Sequence, residues 1–279
     1  MKEEISQVLS RSKTDDWKKI KVDFGDSFLE IWVPTDCEIL TMPSMPCLVD
    51  SGVEITNILN QPIGSPTISE IIFSKGIPLD DITVCITVSD ITRPVPYKGE
   101  DGLLLPLLTL IEDTGVKKNN IVFVIGNGMH RHSTLEERID MYGRQIVDNY
   151  RIIDHDSEDD KSMVLAAQTK RGTKVHLNKI FYESDVKIIT GLVESHFMAG
   201  ASGGRKGVCP ALVNTKSIHF FHSVQVLEDP QATNLILDGN PCHEEALEVA
   251  KAVGIDFLIN VILDRRFCGC TGGSPSCSL

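Results

Sequence analysis

Four short apolar runs constrain the fold of this chain more than any other feature of its sequence. They are rich in β-branched residues and lie at 81–90 (DITVCITVSD), 119–128 (NNIVFVIGNG), 185–193 (DVKIITGLV) and 255–263 (IDFLINVIL). Nearly continuous apolar runs of this length are typical of strands that are covered on both faces. Since strands that alternate with helices form layered α/β folds, we predict an α/β/α domain with a largely parallel sheet.

The segments between these runs carry helix signals. LLLPLLTLIEDTG (103–115) ends at a glycine, which predicts a helix that stops there. Ser133 stands three residues before Glu136, and this capping-box spacing predicts a second helix. Asn240 followed by proline predicts the start of a third, which ends near Gly254.

The two ends of the chain differ from this pattern. IKVDFGD and SFLEIWVP (20–34) alternate apolar and polar residues around a Gly-Asp turn, which predicts a β-hairpin. RRFCGCTGGSPSCSL (265–279) has no apolar period and contains three cysteines. We expect one domain over residues 1–263 and an atypical Cys-rich tail over 264–279. The tail is either the product of a frame shift or early stop, or a small metal-binding segment whose spacing matches no zinc pattern.

Charge and hydropathy exclude several classes of partner. The formal net charge of −12 argues against a nucleic-acid or anionic-membrane surface. No early segment resembles a signal peptide, and no run reaches the ~20 apolar residues that cross a bilayer. We therefore expect a cytoplasmic protein with a small-molecule partner. Its five isolated cysteines, at 37, 47, 85, 209 and 242, are interpreted as reduced structural thiols.

Polar residues follow three of the four apolar runs. The first run is followed by Thr92 and Arg93, the second by His130, and the third by His196. In a parallel sheet, ligands bind beyond the carboxyl ends of the strands. These residues are therefore predicted to meet at one site.

A glycine-rich segment, GLVESHFMAGASGGRKG (191–207), belongs to this region. Its small residues let a ligand approach the main chain closely. It does not match a P-loop, because Lys206 is followed by Gly207 instead of a hydroxyl residue. GNGMHR (126–131) lacks the third glycine of a dinucleotide fingerprint. We predict a cofactor seat of neither standard nucleotide type.

Taken together, DITRP, GNGMHRH and SHFMAGASGGRKG followed by HFFH resemble the nickel-pincer lactate racemase family of 2-hydroxyacid racemases and epimerases. The resemblance spans roughly residues 20–263, and its most specific part is the spacing of His196, Lys206 and His222. It implies that residues 1–263 form a lactate racemase N-terminal-like domain for cofactor binding and catalysis. We expect the second α/β domain usual in that family to be absent.

The resemblance also implies a cofactor. This is a nickel-pincer nucleotide, a pyridinium mononucleotide with two sulfur-bearing groups, covalently attached to Lys206, with His222 as the protein ligand of nickel. Soft sulfur donors with one imidazole suit square-planar Ni(II). The lysine must be neutral to form the bond, and we expect the adjacent Arg205 to lower its proton affinity. Thr92, Gly203, Gly204 and Arg205 are the further expected cofactor-binding residues.

For catalysis, the resemblance implies that His130 and His196 exchange protons with the substrate hydroxyl on opposite faces, while hydride leaves carbon 2 and returns. An unperturbed histidine pKa near ~6.5 suits both directions of proton transfer. Arg93 would orient the substrate, with Asp90 supporting the site. Taken singly, each of these residues also has a structural interpretation. Each histidine could be a solvated loop residue, Asp90 could cap a helix, and Arg93 could form a surface ion pair.

Two functions stay open from the sequence. The first is a racemase or epimerase of a lactate-like 2-hydroxyacid, with cofactor-biosynthesis enzymes as partners. The second is a truncated, non-catalytic cofactor-binding fragment that needs a separate second domain. Met129 stands where many family members have threonine, so the substrate stays open among lactate, malate, aromatic lactates and sugar acids. His155, His176 and His243 are interpreted as structural or peripheral, and His132 as a residue that supports the site or lies at the surface. His219 lies three residues before His222, so the two are expected to share a helical face.

Overall fold

A computed structural model describes residues 16–25, 27–40, 48–263 and the backbone of 277–278, in two compact units that are treated separately. The first unit contains a hairpin of β1 (Trp17–Phe24) and β2 (Ser27–Pro34), paired antiparallel from Trp17 opposite Pro34 to Phe24 opposite Ser27. Gly25 in its turn has a φ of +57°, a conformation that glycine adopts without strain. The predicted hairpin is confirmed.

The second unit is built from alternating strands and helices. Its strands are β3 (Val84–Val88), β4 (Ile121–Ile125), β5 (Arg151–Asp154), β6 (Met163–Gln168), β7 (Lys174–Asn178), β8 (Val186–Leu192), β9 (Ser195–His196), β10 (Gly200–Ala201), β11 (Phe257–Leu263) and β12 (Cys277–Ser278). Its helices are α1 (Ser51–Asn60), α2 (Ile68–Ser74), α3 (Leu104–Asp113), α4 (Leu135–Tyr142), α5 (Arg144–Asn149), α6 (Lys179–Glu183), α7 (Thr215–Phe221), α8 (Val224–Leu227) and α9 (Pro241–Val253). Each of the four predicted apolar runs contains a strand.

The central sheet has the order β12-β11-β8-β3-β4-β5. Strands β11, β8, β3, β4 and β5 are parallel, and β12 pairs antiparallel with β11. The chain builds β3, β4 and β5 in one direction and then crosses to β8 and β11 on the other side of β3. This change of direction places a crevice at the carboxyl ends of β3 and β8, where such sheets bind ligands.

Both faces of the sheet are covered. One apolar cluster packs α1, α2 and α3 against the face that carries Val84, Ile86 and Val88. A second cluster packs α6, α7 and α9 against the opposite face, which carries Cys85 and Val124. Because both faces are buried in these clusters, the sequences of the central strands are uninterrupted apolar runs. The layered α/β/α fold is confirmed.

The helix boundaries agree with the sequence in two cases and differ in one. Helix α3 ends just before Gly115, and α9 begins after Asn240, whose side chain accepts from two main-chain N–H groups, and ends before Gly254. Helix α4, however, is capped by Thr134 with Glu137, so the prediction of Ser133 with Glu136 is wrong by one residue. Within the described ranges, no helix combines the length and apolarity needed to span a bilayer. The Cys-rich tail lies outside the described residues apart from the backbone of β12.

Candidate active site

A cavity of about 400 Å³ opens at the carboxyl ends of β3, β4 and β8. The segment after β3 contributes Asp90, Thr92 and Arg93, the turn after β4 contributes His130, the segment after β8 contributes His196, Gly203 and Lys206, and His222 follows α7. Residues that are far apart in sequence therefore line one cavity, as predicted from the positions of the strand ends.

Asp90 orients His130. The Asp90 side chain is 7% exposed, and its Oδ2 lies 2.6 Å from Nδ1 of His130. Its Oδ1 accepts from the main-chain N–H and the hydroxyl of Thr92, at 3.1 and 2.6 Å. Because Nδ1 donates to the carboxylate, a neutral His130 carries its lone pair on Nε2. His130 is thus held as a proton acceptor at Nε2.

His196 is held differently. Its Nδ1 accepts from the main-chain N–H groups of Met198 and Ala199, at 3.3 and 3.2 Å, so a neutral ring carries its proton on Nε2. Burial, followed by the positive charge of Lys206, lowers the pKa of His196 to about 4. The ordinary histidine pKa therefore does not hold for this ring, because burial and the nearby positive charges disfavour its charged form.

The glycine-rich segment folds into a short hairpin of β9 and β10 and a tight turn. Gly203 has a φ of +73°, and a Cβ there would lie 2.9 Å from both Oδ1 of Asn260 and Cγ2 of Val193. The N–H of Gly204 donates to the same Asn260 oxygen at 3.1 Å. Contacts inside the protein thus require glycine at position 203.

Arg205 stabilises this segment from outside the cavity. Its Nη2 donates to the carbonyls of Ala199 and Ala201, at 2.8 and 2.9 Å. Neither Arg205 nor Gly204 lines the cavity. In this structure Arg205 holds the β9-β10 hairpin and the N–H of Gly204 contacts Asn260 on β11, while a contact of these two residues with the cofactor stays a prediction.

Lys206 lies in the turn Gly204–Gly207, half-buried, with Nζ 5.8 Å from the centre of the Phe221 ring. Burial lowers its pKa to about 8, and the charges of Arg93 and Arg205 add to this effect. The sequence predicted the direction and the contribution of Arg205, but burial is the largest cause. Near neutral pH, an appreciable fraction of this amine is uncharged and nucleophilic.

His222 ends helix α7. Its Nδ1 lies 3.0 Å from the carbonyl of Ile218, to which it donates, so Nε2 carries the lone pair. Partial burial lowers the pKa of His222, and the hydrogen bond to Ile218 opposes that change. His219, one turn earlier and exposed, also lines the cavity. His222 therefore offers one neutral imidazole nitrogen as a possible metal ligand.

Residues 24–234 match the protein family described as the lactate racemase N-terminal domain. The chain belongs to this family. A lactate racemase of Thermoanaerobacterium thermosaccharolyticum is 32% identical over 213 residues, which are 75% of this chain and 47% of that protein. A lactate racemase of Lactiplantibacillus plantarum is 36% identical over 207 residues, which are 74% of this chain and 46% of that protein. The chain spans about half the length of these relatives.

Solved structures agree. The lactate racemase apoprotein of T. thermosaccharolyticum superposes with a TM-score of 0.72 at 27% identity, covering 89% of this chain and 57% of that one. A Thermotoga maritima protein shares the fold, with a TM-score of 0.60 at 17% identity, covering 82% and 54%. The resemblance that the motifs indicated is confirmed at the level of the family and its fold.

The cavity also contains residues whose contacts the sequence did not indicate. Thr190 on β8 shares a hydrogen bond of 2.7 Å with the hydroxyl of Tyr97 and donates to the carbonyl of Thr87, which fixes the cavity floor. These contacts join residues that are distant in sequence, so no local motif could have revealed them. Asn127, inside the GNGMHR segment, also lines the cavity and is 2% exposed.

Four further histidines, and the cysteines among the described residues, do not line this cavity. His155 is fully buried and bonded to the carbonyl of Val213 at 3.0 Å, and His132 lies exposed, 3.7 Å from Asp156. His176 and His243 do not line the cavity. The cysteines described as free are Cys37, Cys85, Cys209 and Cys242, and Cys47 lies outside the described residues.

Proposed function

We propose that this chain is the cofactor-binding and catalytic part of a racemase or epimerase that interconverts the stereoisomers of a small, lactate-like 2-hydroxyacid. Its cofactor is a nickel-pincer nucleotide attached covalently to Lys206. The observation that carries the proposal is the convergence of His130, His196, Arg93 and Lys206 on one cavity in a member of the lactate racemase N-terminal domain family. The domain assignment of residues 1–263 is part of this proposal.

The residues present suit such a group. Lys206 is a partly neutral amine that can form an acyl-type bond, and His222 offers a neutral Nε2, which is a good nickel ligand. In the part of the chain that the structure describes, no three His, Cys, Asp or Glu side chains cluster so as to hold a metal. The remaining nickel ligands would therefore come from the cofactor. When bound, the cofactor supplies a reversible acceptor for the hydride on carbon 2 of the substrate.

The side chains of this chain would do the rest. Arg93 lies at the cavity rim, where its guanidinium would bind the substrate carboxylate by charge-assisted hydrogen bonds. His130 would take the hydroxyl proton at Nε2, and the buried carboxylate of Asp90 would stabilise the resulting imidazolium.

His196 would exchange a proton with the same oxygen when the substrate presents its other face. In the structure its Nδ1 accepts from two main-chain N–H groups, so the neutral ring carries its proton on Nε2. To act as a base at Nε2, the ring must give up those two contacts. Proton exchange at His196 is therefore coupled to a local change in the β9-β10 hairpin.

The test is an assay of enantiomer formation. The chain is produced together with the cofactor-biosynthesis enzymes and nickel, and supplied with D-lactate, D-malate, an aromatic lactate or a sugar acid. His130→Ala should lower turnover by about 10²- to 10⁴-fold. The matched control is His132→Ala, two residues away and outside the cavity, which should leave turnover unchanged.

The length of the chain is part of the same test, because it spans about half of its curated relatives. The assay is run on the chain alone and after addition of the remaining half of a full-length relative. Activity only after this addition supports the half-protein alternative. A chain that carries the Lys206 adduct but interconverts none of these acids in either condition would refute the proposed activity.

A further inference from the structure

A buried carboxylate stands behind the turn that carries His130. Asp154 is the last residue of β5 and is 9% exposed. Its Oδ1 accepts from Nδ2 of Asn127 at 3.1 Å and from the main-chain N–H of Ser133 at 2.9 Å. Its Oδ2 pairs with the guanidinium of Arg138 on α4. The two oxygens thus serve two different parts of the structure.

Asn127 links this carboxylate to His130. Its side-chain Nδ2 also donates to the main-chain carbonyl of Arg131 at 3.0 Å. The main-chain carbonyl of Asn127 accepts from the main-chain N–H of His130 at 2.9 Å. If the amide turned over, its oxygen would face a carboxylate and a carbonyl, both acceptors, so its orientation is fixed. Asn127 and Asp154 together close the chain from 127 to 133 around His130.

We propose that Asn127 and Oδ1 of Asp154 are positioning residues that hold the His130 ring against Asp90, and so keep its proton on Nδ1 and its lone pair on Nε2. Half of the His130 side chain is exposed, and its ring nitrogen contact is the one to Asp90. Because few contacts hold the ring itself, its orientation depends on the conformation of the main chain at His130. The inference deepens the proposed function, because His130 is the base there, yet the position of the proton can be measured without turnover.

The two oxygens of Asp154 allow positioning to be separated from stability. Asp154→Asn keeps an oxygen that can accept from Asn127 and Ser133 but loses the charge pair with Arg138. Asp154→Leu loses the accepting oxygen as well as the charge pair with Arg138. Asn127→Ala removes the side-chain hydrogen bonds to Arg131 and Asp154 but keeps the main-chain bond to His130. It also leaves the pair between Asp154 and Arg138 in place, so it serves where Asp154→Leu does not fold. Asp156→Asn, at a more exposed carboxylate two residues on, is the matched control.

The experiment is a long-range ¹H–¹⁵N NMR spectrum of the full chain with labelled histidine, which shows which ring nitrogen of His130 carries the proton. We expect the Nδ1–H form in the original chain, in Asp156→Asn and in Asp154→Asn, the last with a lower melting temperature. Asn127→Ala and Asp154→Leu should show a mixture of both tautomers. In the loaded enzyme they should lose turnover, by up to about 100-fold, with KM unchanged.

Two results would overturn the inference. One is a pure Nδ1–H form in Asn127→Ala and in folded Asp154→Leu. The other is an equal loss of that form in Asp154→Asn and Asp154→Leu, because the effect would then follow the Arg138 pair and be structural. If the variants show the expected tautomers but the loaded enzyme does not racemise, the proposed function alone is refuted. If the enzyme racemises but Asn127→Ala and Asp154→Leu keep the tautomer of the original chain, the positioning role alone is refuted.

Discussion

Lys206 shows how burial prepares a single side chain for chemistry. Its pKa is lowered to about 8, first by burial and then by Arg93 and Arg205. Because the neutral amine is the nucleophile, its acylation by a small reagent such as acetic anhydride should rise with pH around a midpoint near 8, below the ~10.4 of an ordinary lysine. Peptide mass spectrometry over a pH series measures this midpoint. Lys216, exposed on α7, controls for the reagent, and a midpoint for Lys206 at the ordinary value would contradict the expectation.

His196 should make the fold sensitive to acid. Its folded-state pKa is about 4, below the unperturbed value of 6.5, so protons bind the unfolded chain more tightly. The stability contributed by the neutral ring is present above the unfolded pKa and is lost as pH falls from about 6.5 to about 4. Melting temperatures of the original chain and His196→Gln should therefore converge over this window. Parallel curves would show that the ring is not held as described, and His219→Gln serves as the control.

At the residue scale, the sequence indicated the members of the cavity but not their supports. Asp90, His130, His196 and Lys206 could be chosen because each follows a strand or lies in a distinctive motif. Arg205 stands in the same motif, yet its guanidinium donates to the carbonyls of Ala199 and Ala201 in the β9-β10 hairpin. Whether a motif side chain faces a ligand or the protein depends on such contacts.

Among the elements, the start of helix α4 gives a direct test of a capping assignment. The hydroxyl of Thr134 accepts from the N–H of Glu137, and the Glu137 carboxylate accepts from the N–H of Thr134. Thr134→Ala should lower the free energy of unfolding by about 1 kcal/mol. Ser133→Ala should change it less, because Ser133 supplies its main-chain N–H to Asp154. Urea unfolding measures both, and a larger loss in Ser133→Ala would reverse the assignment.

The same helix explains where sequence reasoning about elements stops. Ser133 with Glu136 and Thr134 with Glu137 are overlapping capping boxes, and local spacing does not choose between them. The contact of Ser133 with Asp154 decides, and it depends on how β5 packs. Strands β3, β4, β8 and β11 were predictable because both faces are buried, whereas β5 is short and carries Arg151 and Asp154 at its ends.

For the whole molecule, the strand order decides which residues meet. The sequence indicates parallel strands, but it does not show that β8 lies beside β3 while β4 and β5 lie on the other side. That order brings the segments after β3, β4 and β8 to one cavity, and Asn260 in the middle of β11 supports the glycine turn. The motifs indicated the same convergence because they contain the residues that this strand order brings together.

The measurement that tests the central claim most directly is the mass of Lys206 in the chain produced with nickel and the cofactor-biosynthesis enzymes. Intact-mass and peptide mass spectrometry should show one covalent adduct on Lys206, absent in Lys206→Ala and present in Lys216→Ala. His222→Ala should keep the adduct and retain less nickel. An unmodified Lys206, or an adduct on any other lysine, would contradict the assignment of this cavity as the seat of a tethered nickel cofactor.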